Sequence, residues 1–242
     1  RNINSFCSYG DTLLAATTAG VMMTSNNGDS WIDISANLPD TSFSKLNLIG
    51  NTIYSITANR DRIYAGTRSA VYYRDNLQYE WTEILRLEDD VVVFSLLADT
   101  DTILVGTYTK GILRSVNNGI TLQNTYIDSL NLNPACNSFF LKDNVLLAGT
   151  GGNVYKSNDK GASWKSAESG ILAQRIFTFA SVGDKIYSGS WGGGIFIRNA
   201  ERWDNLNRGL RSWYITDLNI CDNQLFASEL GTGILEFVDN TW

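Results

Sequence analysis

The sequence predicts an all-β chain, a six-bladed β-propeller of four-stranded antiparallel blades that closes without an exchanged strand. Three observations predict it. A motif returns about every forty residues, a two-residue column keeps register through every copy, and turn residues stand at set places between short apolar runs.

The copies open as DTLLAATTAGVMM, DRIYAGTRSAVYY, DTILVGTYTKGIL, DNVLLAGTGGNVY, DKIYSGSWGGGIF and NQLFASELGTGIL, beginning at Asp11, Asp61, Asp101, Asp143, Asp184 and Asn223. Successive spacings are 50, 40, 42, 41 and 39, so only the first interval carries an excess, which falls in the stretch ANLPDTSFSKLNLIGN. In this phase one domain, 1–242, divides into blades at 3–39, 40–88, 89–131, 132–172, 173–210 and 211–242.

The column lies ten residues before the small residue of each copy. It reads Ser5, Ser55, Ser95, Ser138, Thr178 and Asp217, and the next position reads Phe6, Ile56, Leu96, Phe139, Phe179 and Leu218. Neighbours of opposite character are what a strand needs, because successive side chains point to opposite faces. The first column is expected to ring the axis. Each unit then supplies an inner strand a, strands b and c, and an outer strand d. Before strand c stand Gly20, Ala70, Gly111, Asn153, Gly194 and Gly233. Glycine and asparagine suit a turn with positive φ, and Ala70 predicts a different turn.

The loop between strands c and d repeats too. Blade four reads Ser157-Asn158-Asp159-Lys160-Gly161-Ala162-Ser163-Trp164, matching S-x-D-x-G-x-[ST]-W. Blade one keeps Asn26, Gly28 and Trp31, and blade three keeps Asn117 and Gly119 with Leu122 in the Trp place. Blade two keeps Asn76 and Trp81, while blades five and six retain Trp203 and Trp242. A short Asp or Asn side chain accepts backbone N–H groups, glycine supplies the unusual backbone angle, and Trp buries apolar area. Asp159 is expected to bond N–H groups around Gly161 without metal, since the further oxygens of a calcium loop are missing. On these residues the chain resembles the Asp-box (BNR-repeat, sialidase-like) β-propellers. That superfamily includes sialidases, xyloglucanases, sortilin-type receptors and photosystem II assembly-factor-like proteins.

A sialidase-like member would carry an arginine triad, an Asp acid, a Tyr–Glu pair and an early F/Y-R-I-P motif. Here the nearest strings, DRIYAG and QRIFTF, have no proline. Arg68, Arg175 and Arg208 are the arginines that reach toward the loop face. Glycoside hydrolysis needs two carboxylates flanking one bond, and Asp217 with Glu229 is the pair to nominate. The chain has no histidine, which excludes Ser-His, Cys-His and His-ligated metal chemistry within it. Its net charge of −6 argues against a nucleic-acid footprint, and no apolar run is long enough to insert in a membrane.

No cofactor and no metal are expected. The expected function is a non-catalytic binding or scaffold propeller, extracellular, surface-associated or periplasmic and bacterial, that recognises a protein or glycan as a monomer or within a larger assembly. The alternatives are a divergent glycoside hydrolase and an assembly-factor-like chaperone. The binding face would be the b–c and d–a loops, with Arg68, Tyr108, Lys110, Trp191, Trp213, Tyr214 and Glu229. Exposed aromatics on short rigid loops suit sugar stacking or a protein hot spot. Because the repeats end in phase with the blades, blades one and six should meet by side-chain packing, with the thiols Cys7 and Cys221 near the seam. Cys136 completes an odd set without C-x-x-C spacing.

Overall fold

Six blades succeed one another along the chain in the computed structural model, which describes residues 2–38, 52–78, 80–88, 91–128, 135–167, 170, 171, 173 and 175–242. The extra residues expected at 36–51 lie largely outside these, as do the blade limits at 39, 40, 89, 131, 132 and 172. The fold is a β-propeller. Its chain forms two compact units, residues 1–124 and 125–242.

The first unit holds three four-stranded blades. Strands a to d are Ile3–Tyr9, Thr12–Thr17, Gly20–Thr24 and Ile32–Asp33 in blade one. In blade two they are Ser55–Ala58, Arg62–Gly66, Ala70–Asp75 and Thr82–Arg86, and in blade three Val93–Asp99, Thr102–Thr107, Ile112–Ser115 and Gln123–Asn124. The second unit departs from the plan twice. Blade four (Cys136–Lys142, Val145–Thr150, Val154–Ser157, Ser163–Ser166) gains a fifth strand, Tyr126–Asp128, which pairs in parallel with strand d. Blade five is regular (Arg175–Val182, Lys185–Trp191, Gly194–Asn199, Arg202–Asn205). Blade six has three strands (Ile215–Cys221, Gln224–Glu229, Gly233–Glu236) and closes its outer edge with only a bridge between Val238 and Thr241. Each sheet uses strands a to d of one repeat in chain order.

The repeated register is visible residue by residue. Phe6, Ile56, Leu96, Phe139, Phe179 and Leu218 each lie directly across strands a and b from Ala15, Ala65, Val105, Ala148, Ser188 and Ala227. The polar column faces Ala16, Gly66, Gly106, Gly149, Gly189 and Ser228. Its hydroxyls tie neighbouring inner strands together within each unit. Ser55 Oγ donates to Val93 O at 3.0 Å, Ser138 Oγ to Ile176 O at 3.3 Å, and Thr178 Oγ1 to Asp217 Oδ1 at 2.9 Å. The strand-b glycines leave room for this contact. A Cβ at Gly66, Gly149 or Gly189 would stand 2.5–2.7 Å from Val93, Ile176 or Ile215 of the next blade.

Positive φ falls where turns demand it, with one shift of position. Gly20, Gly111, Gly194 and Gly233 adopt it before strand c, but in blades two and four it moves one residue earlier, to Ser69 and Gly152. Ala70, as expected, stands in a different turn.

Three c–d loops share one network. Ser157 Oγ donates to Asp159 Oδ1 (2.7 Å) and accepts Gly161 N–H (2.8 Å), while Ser163 donates its N–H and Oγ–H to Asp159. Thr24, Asn26, Gly28 and Ser30 repeat it in blade one, and Ser115, Asn117, Gly119 and Thr121 in blade three. The acceptor for Gly161 N–H is therefore the serine hydroxyl, and Asp159 serves the residue two further on. Partial burial alone would raise the Asp159 pKa, but the hydrogen bonds from Ser163, Ser157 and Ala162 outweigh it and hold the carboxyl at about 2. The stability that this carboxylate contributes is complete above its unfolded pKa near 3.8 and is lost as pH falls through about 2. Asp159→Ala should cost about 1–2 kcal/mol at pH 7, the figure reduced for the water around this exposed loop. Urea unfolding at pH 7 and pH 2 checks this, since the penalty should shrink toward the lower pH.

Blade two has lost most of this loop and uses another device. Arg74, buried, donates to Ile34 O (3.1 Å) and Leu77 O (2.7 Å) with its guanidinium 5.6 Å from the Trp81 ring, and Trp81 Nε1 also donates to Ile34 O. The expected placement of Cys7 needs correction. Cys7 packs with blade two, in a cluster with Leu14, Val21, Ile56, Tyr72 and Trp81, because it shares strand parity with the residues that face the following blade. Burial there pushes its thiol up to about 11. Phe6 lies on the opposite face of the same strand and is 52% exposed. All three cysteines are free thiols.

Candidate ligand-binding face

Two groups of expected residues assemble, one in each unit. In the second unit, strand b of blade five ends at Trp191, directly opposite Arg175 of strand a. Trp191 also bridges to Tyr214, and their rings lie 4.7 Å apart at 63°. Phe177 also packs edge-to-face with Trp191, with centroids 5.8 Å apart. Trp213 stands beside this row and is 57% exposed, and Tyr214 is 43% exposed. Edge-to-face rings at these separations hold one another in orientation as well as burying area.

The backbone beneath the rings is tied down. Gly192 and Gly194 N–H groups both donate to Trp213 O, at 2.9 and 3.0 Å, and Leu230 N–H donates to Tyr214 O at 2.9 Å. Gly194 adopts positive φ and leaves no space for a side chain, since a Cβ there would collide with the Asn207 amide. That amide accepts Ile195 N–H and donates to Gly193 O.

Glu229 has a different place from the one expected. It is 4% exposed, and its carboxylate accepts the N–H groups of Arg211 (3.0 Å) and Ser212 (3.1 Å) on one oxygen and the Thr232 hydroxyl on the other. It positions the turn that carries Trp213 and Tyr214 instead of facing a ligand. Asp217 accepts from Thr178 Oγ1 and Leu218 N–H, each at 2.9 Å. Burial raises its pKa, and these two hydrogen bonds oppose the shift. Asp217 and Glu229 are thus both engaged by groups of the chain itself. Arg208 is exposed, and its backbone carbonyl accepts Trp242 N–H.

In the first unit the counterpart is smaller. Tyr108, 41% exposed, meets Phe94 edge-on at 5.5 Å, and Phe94 meets Tyr54 at 6.3 Å. Arg68 bridges to Val92, whose carbonyl accepts Tyr108 N–H, so the two b–c loops adjoin. Lys110 Nζ forms an ion pair with Glu88 at 2.8 Å.

Phe94 and Phe177 were not foreseen. Both are the extra residue of a β-bulge at the start of strand a, where pairing skips from Val93 to Ser95 and from Ile176 to Thr178. The same skip occurs at Asn4, Asn137 and Thr216. A bulge re-aims the side chain it carries. The signal lay one residue before the polar column, which reads Asn4, Tyr54, Phe94, Asn137, Phe177 and Thr216. Among the described residues no cluster of three or more metal-ligating acidic, Cys or His side chains occurs.

Comparison with known proteins places this fold without naming an activity. No family model and no curated sequence matches the chain. Solved β-propellers match along nearly all of it. The extracellular domain of a B. thetaiotaomicron protein aligns with a TM-score of 0.74 and 15% identity over 96% of this chain and 33% of its own. The GH74 xyloglucanase from Xanthomonas campestris aligns with a TM-score of 0.69 and 14% identity over 99% of this chain and 45% of its own. YCF48 bound to D1 peptide aligns with a TM-score of 0.67 and 13% identity over 98% of this chain and 81% of its own. The chain spans between a third and about four-fifths of these neighbours, and identities this low carry the fold alone.

Proposed function

We propose that this chain is a non-catalytic binding propeller whose aromatic loop face recognises a protein or glycan ligand. One observation carries the reading. Trp213 and Tyr214 stand exposed on a turn held from beneath by the buried Glu229 carboxylate and by the Gly192 and Gly194 amides. Large aromatics kept in water on rigid backbone bind with little further loss of conformational freedom. Such residues are typical hot spots. Arg175 and Trp191 complete the face in the second unit, and Arg68, Tyr108 and Lys110 offer a second patch in the first.

The three matching c–d loops support membership of the Asp-box propellers, in which the loop is structural. The neighbours support binding in two chemistries, a peptide held by YCF48 and the sugar polymer implied by a xyloglucanase. An extracellular, surface or periplasmic setting in a bacterium fits the extracellular neighbour. Glycoside hydrolysis is the weaker reading because both nominated carboxylates already hold backbone or hydroxyl donors.

Glycan and peptide arrays probed with the chain test this directly. Trp213→Ala should weaken the strongest interaction at least about tenfold, close to 1.4 kcal/mol, while leaving the unfolding midpoint in place. Glu229→Gln should weaken it less and more variably, since the turn keeps part of its support. Unchanged array binding by Trp213→Ala would remove the aromatic face from the account.

A further inference from the structure

Two of the three matching c–d loops carry an Asn-Gly pair at the same place. Blade one has Asn27-Gly28 and blade three Asn118-Gly119, where blade four has Lys160-Gly161. The three pairs share one backbone conformation. Asn27, Asn118 and Lys160 adopt φ of 56°, 55° and 56°, and Gly28, Gly119 and Gly161 adopt 93°, 89° and 83°. In each loop the glycine N–H donates to the hydroxyl of the residue four places earlier. Gly28 reaches Thr24 at 3.0 Å, Gly119 reaches Ser115 at 2.9 Å and Gly161 reaches Ser157 at 2.8 Å. Thr24, Ser115 and Ser157 are all buried, which fixes the acceptor in place.

An Asn-Gly pair is chemically reactive. The glycine nitrogen, once its proton has passed to water, attacks the asparagine side-chain carbonyl carbon. The N–Cγ bond closes a succinimide ring, the Cγ–Nδ2 bond breaks and ammonia leaves. Water then opens the ring at either carbonyl, leaving aspartate or isoaspartate, and nothing is oxidised or reduced. Glycine favours closure because it has no Cβ to crowd the ring. The attack requires the N–H proton to leave, and in these loops that proton is the one given to the hydroxyl. A hydrogen-bonded amide surrenders its proton only when the local structure opens.

We infer that Asn27 and Asn118 are latent isoaspartate sites, held off by the Thr24 and Ser115 hydroxyls. The first residue of this loop thus protects the chain chemically as well as shaping it. Each conversion would place a carboxylate beside Asn26 or Asn117. Isoaspartate also adds a methylene to the main chain between residues that the network joins, so a converted loop does not re-form it. Asn118 has further holds. Its N–H donates to Asp101 O at 2.9 Å, its Oδ1 accepts from Asn59 Nδ2 at 3.4 Å, and its carbonyl accepts from Arg62 Nη1 at 3.1 Å. Arg62 is in turn fixed by Asp75 at 2.6 Å. The inference concerns each loop by itself and is independent of the aromatic face.

Peptide mapping by mass spectrometry tests it, with electron-transfer fragmentation to tell isoaspartate from aspartate. Both sites are followed while the folded chain is held in mildly alkaline buffer, and the chain unfolded in urea gives the unprotected rate. In the folded wild type both asparagines should convert at least about tenfold more slowly than in urea, since opening limits the reaction. Thr24→Val should speed conversion at Asn27 by about tenfold and leave Asn118 at its wild-type rate. Thr24→Ser keeps the hydroxyl and should keep the wild-type rate at both. Ser115→Ala should speed Asn118 alone, and by less, because Asn59 and Arg62 still hold it. Ser157→Ala breaks the same bond beside Lys160 and should change neither site, which controls for general loosening. Equal rates in the folded and unfolded wild type, no gain at Asn27 in Thr24→Val, or equal gains at both sites in either variant would overturn the inference.

Discussion

Trp203→Ala should destabilise the chain by about 3–5 kcal/mol, the usual cost of emptying a large buried aromatic site. The same change at Trp31 should cost under about 1 kcal/mol, because the side chain it removes still faces water. Both tryptophans occupy the same place in their blades and stack on the same strand-a position, so the comparison holds the motif constant while burial differs. In Trp203 the indole is enclosed by Phe196, Ile186 and the blade-four residues Phe140 and Leu147. Urea unfolding of the two variants, read by circular dichroism, decides the matter. Equal losses would mean that the motif residues stabilise their own blade and that blade-to-blade packing adds little.

The second large effect is expected at Gly189. An alanine there brings Cβ within 2.7 Å of both Ile215 Cγ2 and Thr178 Cγ2. Both partners are β-branched and buried, so neither can swing aside cheaply. Gly189→Ala should cost about 2–3 kcal/mol by overpacking. The clash spans the boundary between blades five and six, which gives a sharper test than the single variant. Ile215→Ala should cost less in the Gly189→Ala background than in the wild type, a non-additivity expected of residues in contact. Additive losses would show that the glycine is required by the strand and not by the neighbouring blade.

Much of this architecture was readable before any coordinates, for a physical reason. Strand side chains alternate with a period of two, so a column such as Ser5 to Asp217 with its apolar neighbours reports both the strand and its register. The c–d loops were readable because Asp159, Asn26 and Asn117 act on residues within four positions of themselves. What escaped depended on long-range contacts. Glu229 reads as a loop carboxylate until the segment around Arg211 and Ser212 folds over it. Cys7 has the parity of a blade-facing residue, but parity alone does not say which neighbour it faces, and that choice needs the handedness of the blade order. The bulged Phe94 and Phe177 sit in apolar runs where one extra residue leaves the pattern looking intact. The partial fourth strand of blade six and the parallel fifth strand of blade four arise from pairing choices at sheet edges, where sequence constrains least.

The central claim is that the chain binds through its aromatic face without turning its ligand over. The most direct measurement is mass spectrometry of the strongest array ligand after prolonged incubation with the chain, run beside the Trp213→Ala and Asp217→Asn variants. The account predicts that the ligand is recovered intact from all three, with binding lost only in Trp213→Ala. Cleaved ligand in the wild type, absent with Asp217→Asn, would contradict it.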